Sequence, residues 1–188
     1  LARAHAPAAM VGLDIAIDSV ALANRRFQAP GLRFQVGDSQ ALPFPAASFD
    51  IVVNVESSLN YPDFTAFLES VDRVLAPGGA FLIADYRSWR KLPAFEAALA
   101  GLGYETLWRG DLTEGVLRGH ALTRARKAEL VDAKAPWPWR GLVRRFADLS
   151  EDGTASGRAR FEDRRRVYLA YALRKPMGLG GPAASSAA

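Results

Sequence analysis

Short apolar runs that end in a polar residue recur along the first half of the chain. The central run, Ile51–Val53, lies between Asp50 and Asn54 and is β-branched without polar alternation. Such a run predicts a strand covered on both faces, as in the middle of a parallel sheet. Three further runs of this kind predict strands: Met10–Leu13, Leu32–Val36 and Ala80–Ala84.

A helix is predicted between the central strand and the strand at Ala80–Ala84. Apolar residues from Phe64 to Leu75 recur at i, i+3, i+4 and i+7, which predicts a helix that Asp63 can cap. The Ala-Pro-Gly-Gly sequence at 76–79 should end this helix, because proline cannot continue it and glycine tolerates a left-handed turn. Strand, helix, turn and strand form a βαβ unit, so the pattern predicts an α/β fold.

Similar patterns predict the remaining elements. Helices are expected over 17–28, from Pro93 to Gly101, from Thr113 to about Val131, and around Leu142, Val143, Phe146 and Leu149. Strands are expected over 104–108 and 167–173, a loop over 151–157, and a disordered tail of Gly, Ala, Ser and Pro over 178–188.

Composition narrows the class of protein. With 188 residues and 49% hydrophobic content, the chain can build one globular core. It has no cysteine and two histidines, so neither a disulfide framework nor a metal site is expected. We find no apolar run near 18 residues and no signal-peptide pattern, and we therefore expect a cytoplasmic protein without a transmembrane segment.

Charge is unevenly distributed along the chain. Up to Tyr86 there are 5 Lys and Arg against 9 Asp and Glu, and from Arg87 onward there are 19 against 11. Basic clusters such as residues 164–166 could meet an anionic substrate, a membrane surface or nucleic acid, or could be solvated helix faces. No aromatic-interleaved groove accompanies them, so nucleic acid is not an expected partner.

Acidic residues end three of the predicted strands, at Asp14, Asp38 and Asp85. Around them the chain carries, in order, Gly-Leu-Asp at 12–14, Gly-Asp-Ser at 37–39, Leu-Pro-Phe at 42–44, Ser-Phe-Asp at 48–50 and Val-Leu-Ala-Pro-Gly-Gly at 74–79. This succession resembles the class I S-adenosylmethionine-dependent methyltransferases. Asn-Val-Glu-Ser-Ser at 54–58 with Tyr-Pro at 61–62 resembles a bacterial subgroup that methylates hydroxyl groups of lipids and polyketide-like natural products.

The resemblance implies a Rossmann-like, doubly wound, mostly parallel sheet with one antiparallel strand near the C-terminus. In that pattern a central strand and a Gly-x-Gly-x-Gly loop precede a helix that corresponds here to residues 1–6, and neither is in this sequence. We therefore interpret residues 1–175 as a methyltransferase domain truncated at its N-terminus, followed by a tail over 176–188. In relatives an insertion before the last strand builds the acceptor pocket, and residues 112–160 occupy that place. Two tryptophans in it, Trp137 and Trp139, could contact a bulky apolar acceptor or could only seal the core.

The resemblance also implies the cofactor, S-adenosylmethionine, and residues that bind its adenosine half. Asp14 would accept hydrogen bonds from both ribose hydroxyls, a role that suits a carboxylate because it has two acceptor oxygens and no donor. Ile15 would lie against the adenine, Asp38 would accept from its amino group, and Ser39 would reach the ring. Two alternatives stay open: Asp14 could only start the next helix, and Asp38 could only cap a turn.

Methyl transfer is expected at residues 54–61. Asn54 and Val55 would end their strand beneath the methionine part of the cofactor, with Glu56, Asn60 and Tyr61 as polar groups near the transferring methyl. An in-line displacement depends largely on positioning, and a hydroxyl acceptor also benefits from a base that removes its proton.

The base is the least determined part of the predicted site. In the resembled subgroup a histidine often stands where this chain has Leu59, so Glu56 or His120 would have to replace it. Glu56 could equally be a structural hydrogen-bonding group, and a lone histidine such as His120 is commonly a core or surface residue. We carry Glu56, His120 and Tyr61 forward as candidate catalytic residues.

Three functions fit these observations. The first is an O-methyltransferase acting on a hydroxylated natural product or lipid-like molecule; the second is a C- or N-methyltransferase; the third is a non-catalytic methyltransferase-like subunit or fragment. The expected partners are a small-molecule methyl acceptor and, in a homodimer, a second copy of the chain. A nicotinamide dehydrogenase would share the acidic strand end, but Gly37-Asp38 and the 77–79 turn fit methyltransferases better.

Overall fold

Strands and helices alternate along residues 1–146 and 161–178, the parts of the chain that the computed structural model describes. The strands are β1 (Met10–Asp14), β2 (Leu32–Val36), β3 (Phe49–Val55), β4 (Leu75–Ser88), β5 (Glu105–Asp111) and β6 (Arg166–Arg174). The helices are α1 (Ala2–His5), α2 (Ile17–Arg26), α3 (Phe64–Val74), α4 (Leu92–Gly101), α5 (Thr113–Lys134) and α6 (Arg140–Phe146). Short 3-10 helices lie at Ser39–Ala41, Ser58–Asn60 and Trp137–Trp139.

The order and type of these elements confirm the predicted α/β fold, and most ends lie within a few residues of the expected ones. The predictions for Leu149, for the loop over 151–157 and for residues 179–188 of the tail fall outside the described residues. In the part of the chain that is described, no helix is both long enough and apolar enough to cross a membrane.

The sheet is mostly parallel and is divided into two parts. β1 pairs with β2 in parallel, and β3 pairs with β4 in parallel. β6 lies antiparallel between β4 and β5, which gives the order β3-β4-β6-β5 and confirms the antiparallel strand near the C-terminus. No pairing among the described strands joins β1 to β3.

Strand β3 corrects one prediction. Its apolar run was expected to be covered on both faces, but Ile51, Val53 and Val55 are 57%, 43% and 57% exposed, whereas Asn54 is buried. The strand is at the edge of the four-stranded sheet, and no described element covers that face. An apolar run shows that a strand can be buried on both faces. Whether it is buried depends on the helices or loops that pack against it.

The turn at 76–79 is also placed differently from the prediction. Leu75 already pairs with Phe49, and pairing resumes at Ala80 with Ile51, so residues 76–79 form an irregularity inside β4 and not a turn before it. Gly79 is required there, because a Cβ at this position would lie 2.8 Å from the carbonyl oxygen of residue 76 and 2.9 Å from that of residue 50.

The core lies between the four-stranded sheet and helices α3 and α4. It is built from the apolar stripe of α3 and the inward residues of the strands: Phe67, Leu68, Val71, Leu75, Phe81, Ile83, Phe95, Leu99, Val167, Leu169, Tyr171 and Leu173. Asp63 caps α3 as predicted, since its Oδ1 accepts from the Ala66 amide at 2.9 Å.

The segment after β2 is fixed on α3. The Leu42 amide donates to Ser70 Oγ at 2.8 Å, and the Arg73 guanidinium donates to the carbonyl oxygens of Leu42 and Phe44. The Asp63 amide donates to Gln40 Oε1 at 2.7 Å, which joins the loop after β2 to the loop after β3. The carboxyl ends of these two strands therefore lie at the same edge of the molecule.

Helix α4 is held to β5 and β6 by Glu96. Its Oε1 accepts from the Tyr171 hydroxyl at 2.6 Å and from Arg109 Nη2 at 2.7 Å. These hydrogen bonds, that of Tyr171 first and that of Arg109 second, hold the pKa of Glu96 below its ordinary value. Burial, followed by the hydrogen bond to Glu96, raises the pKa of Tyr171 to about 12.

This arrangement predicts a pH-dependent contribution to stability. A carboxyl whose folded pKa is depressed stabilises the fold above its unfolded pKa, about 4.3 for Glu, and this contribution is lost as the pH falls through the folded pKa. We therefore expect Glu96→Gln to reduce the loss of unfolding free energy between pH 7 and about pH 3, measured by urea denaturation of the full-length protein. Glu105→Gln, which removes the exposed pair with Arg174, is the control. An unchanged pH dependence in the Glu96 variant would contradict the assignment.

Candidate functional site

The loops that follow β1, β2, β3 and β4 form the candidate site. In parallel α/β sheets the crevice outside the carboxyl ends of the strands is the usual binding place. Here the link between Gln40 and Asp63 brings the loop after β2 to the loop after β3. The predicted cofactor residues are therefore distributed over both parts of the sheet.

Asp14 ends β1 with an exposed side chain. Its Oδ1 accepts from the Ala16 amide at 2.8 Å, which supports the start of α2, as one of the two alternatives proposed. Among the described residues its other oxygen has no hydrogen-bond partner, so it is available to a ligand hydroxyl. Ile15, beside it, is 73% exposed and offers an apolar surface to an aromatic ring.

Asp38 is the N-cap of the 3-10 helix that begins at Ser39. Its Oδ1 accepts from the Gln40 backbone amide at 2.8 Å and from Gln40 Nε2 at 3.1 Å. These two hydrogen bonds lower the pKa of Asp38, the backbone one contributing most. The turn-capping role is therefore present, and any contact with adenine would be an additional role of a partly engaged carboxylate.

Asn54 ends the inward face of β3 and is buried. Its Nδ2 donates to the Tyr61 hydroxyl at 2.8 Å, and that hydroxyl donates to Ser57 Oγ at 3.1 Å. Asn54 Oδ1 is buried and has no hydrogen-bond partner among the described residues. Leaving a buried acceptor unsatisfied costs about 1–3 kcal/mol, so a donor on a ligand would satisfy this atom.

Glu56 has an unusual backbone conformation directly after β3. Its φ is 54°, in the left-handed region, which is costly for a residue other than glycine. The Glu56 amide donates to the Ala84 carbonyl at 2.9 Å, which holds the chain in this conformation. The side chain is exposed, in contrast to the preceding Asn54, as a group that meets a substrate must be.

Tyr168 on β6 is a neighbour of Glu56 that the sequence did not reveal. Burial, then the proximity of the Glu56 carboxylate and the charge of Asp85, raise the pKa of this tyrosine, so its hydroxyl stays protonated. Tyr168 pairs with Tyr86 across the antiparallel ladder. No local pattern links residues 56 and 168, because only the order of the strands brings them together.

Of the other predicted site residues, Val55 is 57% exposed and Tyr61 is partly buried. The Tyr61 ring packs on Phe67 with centroids 4.8 Å apart, and its hydroxyl is engaged by Asn54 and Ser57. These contacts place Tyr61 as a support for the loop after β3.

His120 lies on α5, seven residues after Thr113 and so about 10 Å along the helix from it. Thr113 itself is next to the site, since its Oγ1 accepts from the Tyr168 amide at 2.9 Å. No described contact joins the His120 imidazole to Glu56 or Tyr61. The structure therefore brings Glu56 and Tyr168 together and leaves His120 apart from them.

The sequence pattern did not lead us to predict that Asp85 and Arg87 form a charged pair. Asp85 ends the predicted strand and is 1% exposed, and Arg87 is 8% exposed. Their closest charged atoms, Arg87 Nη1 and Asp85 Oδ2, are 3.2 Å apart. The sequence did hold a signal, because residues i and i+2 of a strand share a face, and opposite charges at that spacing indicate a pair.

A cavity of about 540 Å³ lies away from this site. Its lining includes Gly78, Gly103, Tyr104, Lys175 and Met177, which belong to the beginning of β4, the turn before β5 and the segment after β6. It is therefore at the edge opposite to the carboxyl ends of the parallel strands. Within the described residues, no group of three His, Cys, Asp or Glu side chains could hold a metal ion.

Two tryptophans of the expected acceptor insertion are exposed. Trp137 is 82% exposed and Trp139 is 59% exposed, in the 3-10 helix between α5 and α6. Neither seals the core formed by the described residues, which was one of the two roles considered for them. The other role, contact with a bulky apolar acceptor, stays a prediction.

Comparison with known proteins agrees with the fold. Residues 1–83 match the family model described as a methyltransferase domain. A fatty-acid O-methyltransferase from Mycolicibacterium smegmatis is 40% identical over 146 residues, which cover 78% of this chain and 53% of that protein. A probable phthiotriol/phenolphthiotriol dimycocerosates methyltransferase 2 from Mycobacterium ulcerans is 40% identical over 136 residues, covering 72% of this chain and 53% of that protein.

The fold has a counterpart among solved structures. A phosphoethanolamine N-methyltransferase 2 from Haemonchus contortus, solved with phosphomonomethylethanolamine and S-adenosylhomocysteine, superposes with a TM-score of 0.74 at 18% identity, over 88% of this chain and 43% of that one. This likeness concerns the fold alone. The chain spans about half the length of the curated relatives it matches.

Proposed function

We propose that this chain, which belongs to the class I S-adenosylmethionine-dependent methyltransferases, methylates a hydroxyl oxygen of a lipid-like small molecule. The observation that carries the proposal is the exposed Glu56 carboxylate, held in a left-handed conformation at the carboxyl end of β3. Two relatives support the acceptor class, since their names refer to fatty acids and to phthiotriol and phenolphthiotriol dimycocerosates.

The residues present fit the cofactor. When bound, S-adenosylmethionine supplies a methyl group activated by a sulfonium. The free oxygen of Asp14 would accept from a ribose hydroxyl, and exposed Ile15 and Val55 would supply apolar contacts. The unpartnered Asn54 Oδ1 would accept from an ammonium or hydroxyl donor. Asp38 and Ser39 would contact the adenine from the loop after β2.

Glu56 is proposed as the general base. An exposed carboxylate at the strand end can take the proton of an acceptor hydroxyl as the new C–O bond forms. Tyr168, whose pKa is raised in part by this carboxylate, is its neighbour and would orient it. Tyr61 would act by supporting Asn54, and His120 would serve only if α5 and the acceptor insertion over 112–160 bring it to a bound acceptor.

The proposal is tested by methyl transfer with the full-length protein. S-adenosylmethionine labelled in its methyl group is incubated with long-chain alcohols, hydroxy fatty acids, unsubstituted fatty acids and long-chain amines. We expect label in the hydroxylated lipids, in a linkage that resists mild alkali as an ether does. Label confined to amines or to carbon would contradict the proposed acceptor atom, and alkali-labile label in unsubstituted fatty acids would identify a carboxylate acceptor instead.

A further inference from the structure

A buried network joins the end of β4 to the loop after β3. Asp85 Oδ2 accepts from Ser58 Oγ at 2.8 Å and from the Leu59 amide at 3.2 Å. Arg87 Nη2 donates to the same Ser58 Oγ at 2.7 Å, and Arg87 Nη1 is 3.2 Å from Asp85 Oδ2. Ser58, Asp85 and Arg87 thus form a closed triangle, which we call the Asp85–Arg87 clamp.

Arg87 is only 8% exposed, and its guanidinium makes its contacts inside the protein. Its Nη1 donates to the Tyr86 carbonyl at 2.9 Å in addition to facing Asp85. Its charge lies 4.3 Å from the ring centroid of Phe95 and 5.7 Å from that of Phe64, so aromatic side chains of α4 and α3 contact it. Arg87 is therefore not available to bind an anionic group of the acceptor, although it lies next to the site.

Stability alone is a weak reason for such a pair. A buried ion pair often gives no more stability than apolar residues of the same volume, because both charges must leave water. Beyond stability, this pair fixes the orientation of nearby groups, because Asp85 and Arg87 together hold the hydroxyl of Ser58 and the amide of Leu59. These two groups belong to the 58–60 turn between Glu56 and Tyr61.

We propose that the Asp85–Arg87 clamp positions the 58–60 turn and thereby holds Glu56 in place against the methyl acceptor. Asp85 and Arg87 are positioning residues, and neither touches the reacting atoms. This inference rests on the proposed function, since it assigns to the clamp the positioning of the general base in that reaction. The Glu56 backbone, in its left-handed conformation, is fixed by Ala84 on one side and by the clamped turn on the other.

The experiment compares Arg87→Met with the double variant Asp85→Asn/Arg87→Met in the full-length protein. The single variant leaves a buried carboxylate unpaired, and the double variant removes both charges. We expect the double variant to recover the melting temperature that the single variant loses, and to keep the wild-type affinity for S-adenosylhomocysteine. We expect its kcat to stay about tenfold to hundredfold below wild type, since small misplacements of reacting groups cost this much.

Hydrogen exchange gives a readout that does not depend on activity. In the double variant the amides of residues 57–63 should exchange faster than in wild type, because Leu59 has lost a charged acceptor. Arg109→Met is the matched control, since Arg109 also pairs with a carboxylate and lies 5.7 Å from a tyrosine ring, but away from the turn. It should leave kcat and exchange at 57–63 unchanged.

Ser58→Ala tests the clamp without altering a charge, should the double variant fail to fold. It should also accelerate exchange at 57–63 and lower kcat. Recovery of kcat together with the melting temperature, or unchanged exchange in both the double variant and Ser58→Ala, would overturn the positioning role. A wild-type protein that binds no S-adenosylhomocysteine would instead overturn the proposed function, while the exchange experiment would still decide the clamp.

Discussion

Replacement of Glu56 by glutamine is expected to lower kcat for a hydroxyl acceptor by about 10²- to 10⁴-fold, the usual contribution of a general base. The amide is nearly the same size as the carboxylate, so the loop should keep its conformation. Affinity for S-adenosylhomocysteine should stay nearly unchanged, because Glu56 contacts the acceptor side. A loss in kcat without a loss in cofactor affinity identifies an interaction needed in the transition state.

Glu69→Gln is the matched control for this prediction. Glu69 is an exposed glutamate of α3, and its replacement makes the same chemical change away from the carboxyl edge. Turnover of both variants should be compared with that of wild type at the same concentrations of acceptor and S-adenosylmethionine. Equal turnover of the Glu56 variant and wild type would eliminate Glu56 as the base.

Asp14→Ala is expected to weaken S-adenosylhomocysteine binding by about 1–3 kcal/mol, the cost of losing hydrogen bonds to a charged group. This corresponds to roughly 5- to 150-fold in the dissociation constant, measured by calorimetry on the full-length protein. The same carboxylate also accepts from the Ala16 amide at the start of α2, so part of the loss could reflect a displaced helix.

Asp14→Asn separates these two effects. Its amide oxygen can still accept from the Ala16 amide, whereas its NH₂ group meets a ribose hydroxyl with a donor in place of an acceptor. We expect the asparagine variant to keep the wild-type melting temperature and still bind S-adenosylhomocysteine more weakly. Unchanged affinity in both variants would contradict the ribose role of Asp14.

The sequence predicted well what depends on local pattern. The apolar stripe of α3 and its cap at Asp63 are short-range features, and both are present as predicted. The polar residues at strand ends indicated the site because parallel strands present their carboxyl ends at one edge. The motifs around Asp14 and Asp38 then supplied the family.

What the sequence could not supply depends on contacts between distant segments. Ile51 is exposed because no described element covers its face of β3, and Glu56 and Tyr168 are neighbours because β6 is inserted beside β4. The engagement of Asp38 by Gln40 is local, and the capping of a turn was one of the two roles that the sequence left open for this residue. The aromatic contacts of Arg87 come from two helices, and no single stretch of sequence encodes them.

The most direct test of the account is where S-adenosylhomocysteine protects the full-length protein from hydrogen exchange. We expect protection of the loops at 14–17, 37–41 and 54–61, which lie at the carboxyl ends of β1, β2 and β3. We expect no protection at the opposite edge, around Gly103, Tyr104 and Lys175, where the described cavity lies. Protection confined to that cavity, or none at all, would contradict a cofactor site at the carboxyl edge.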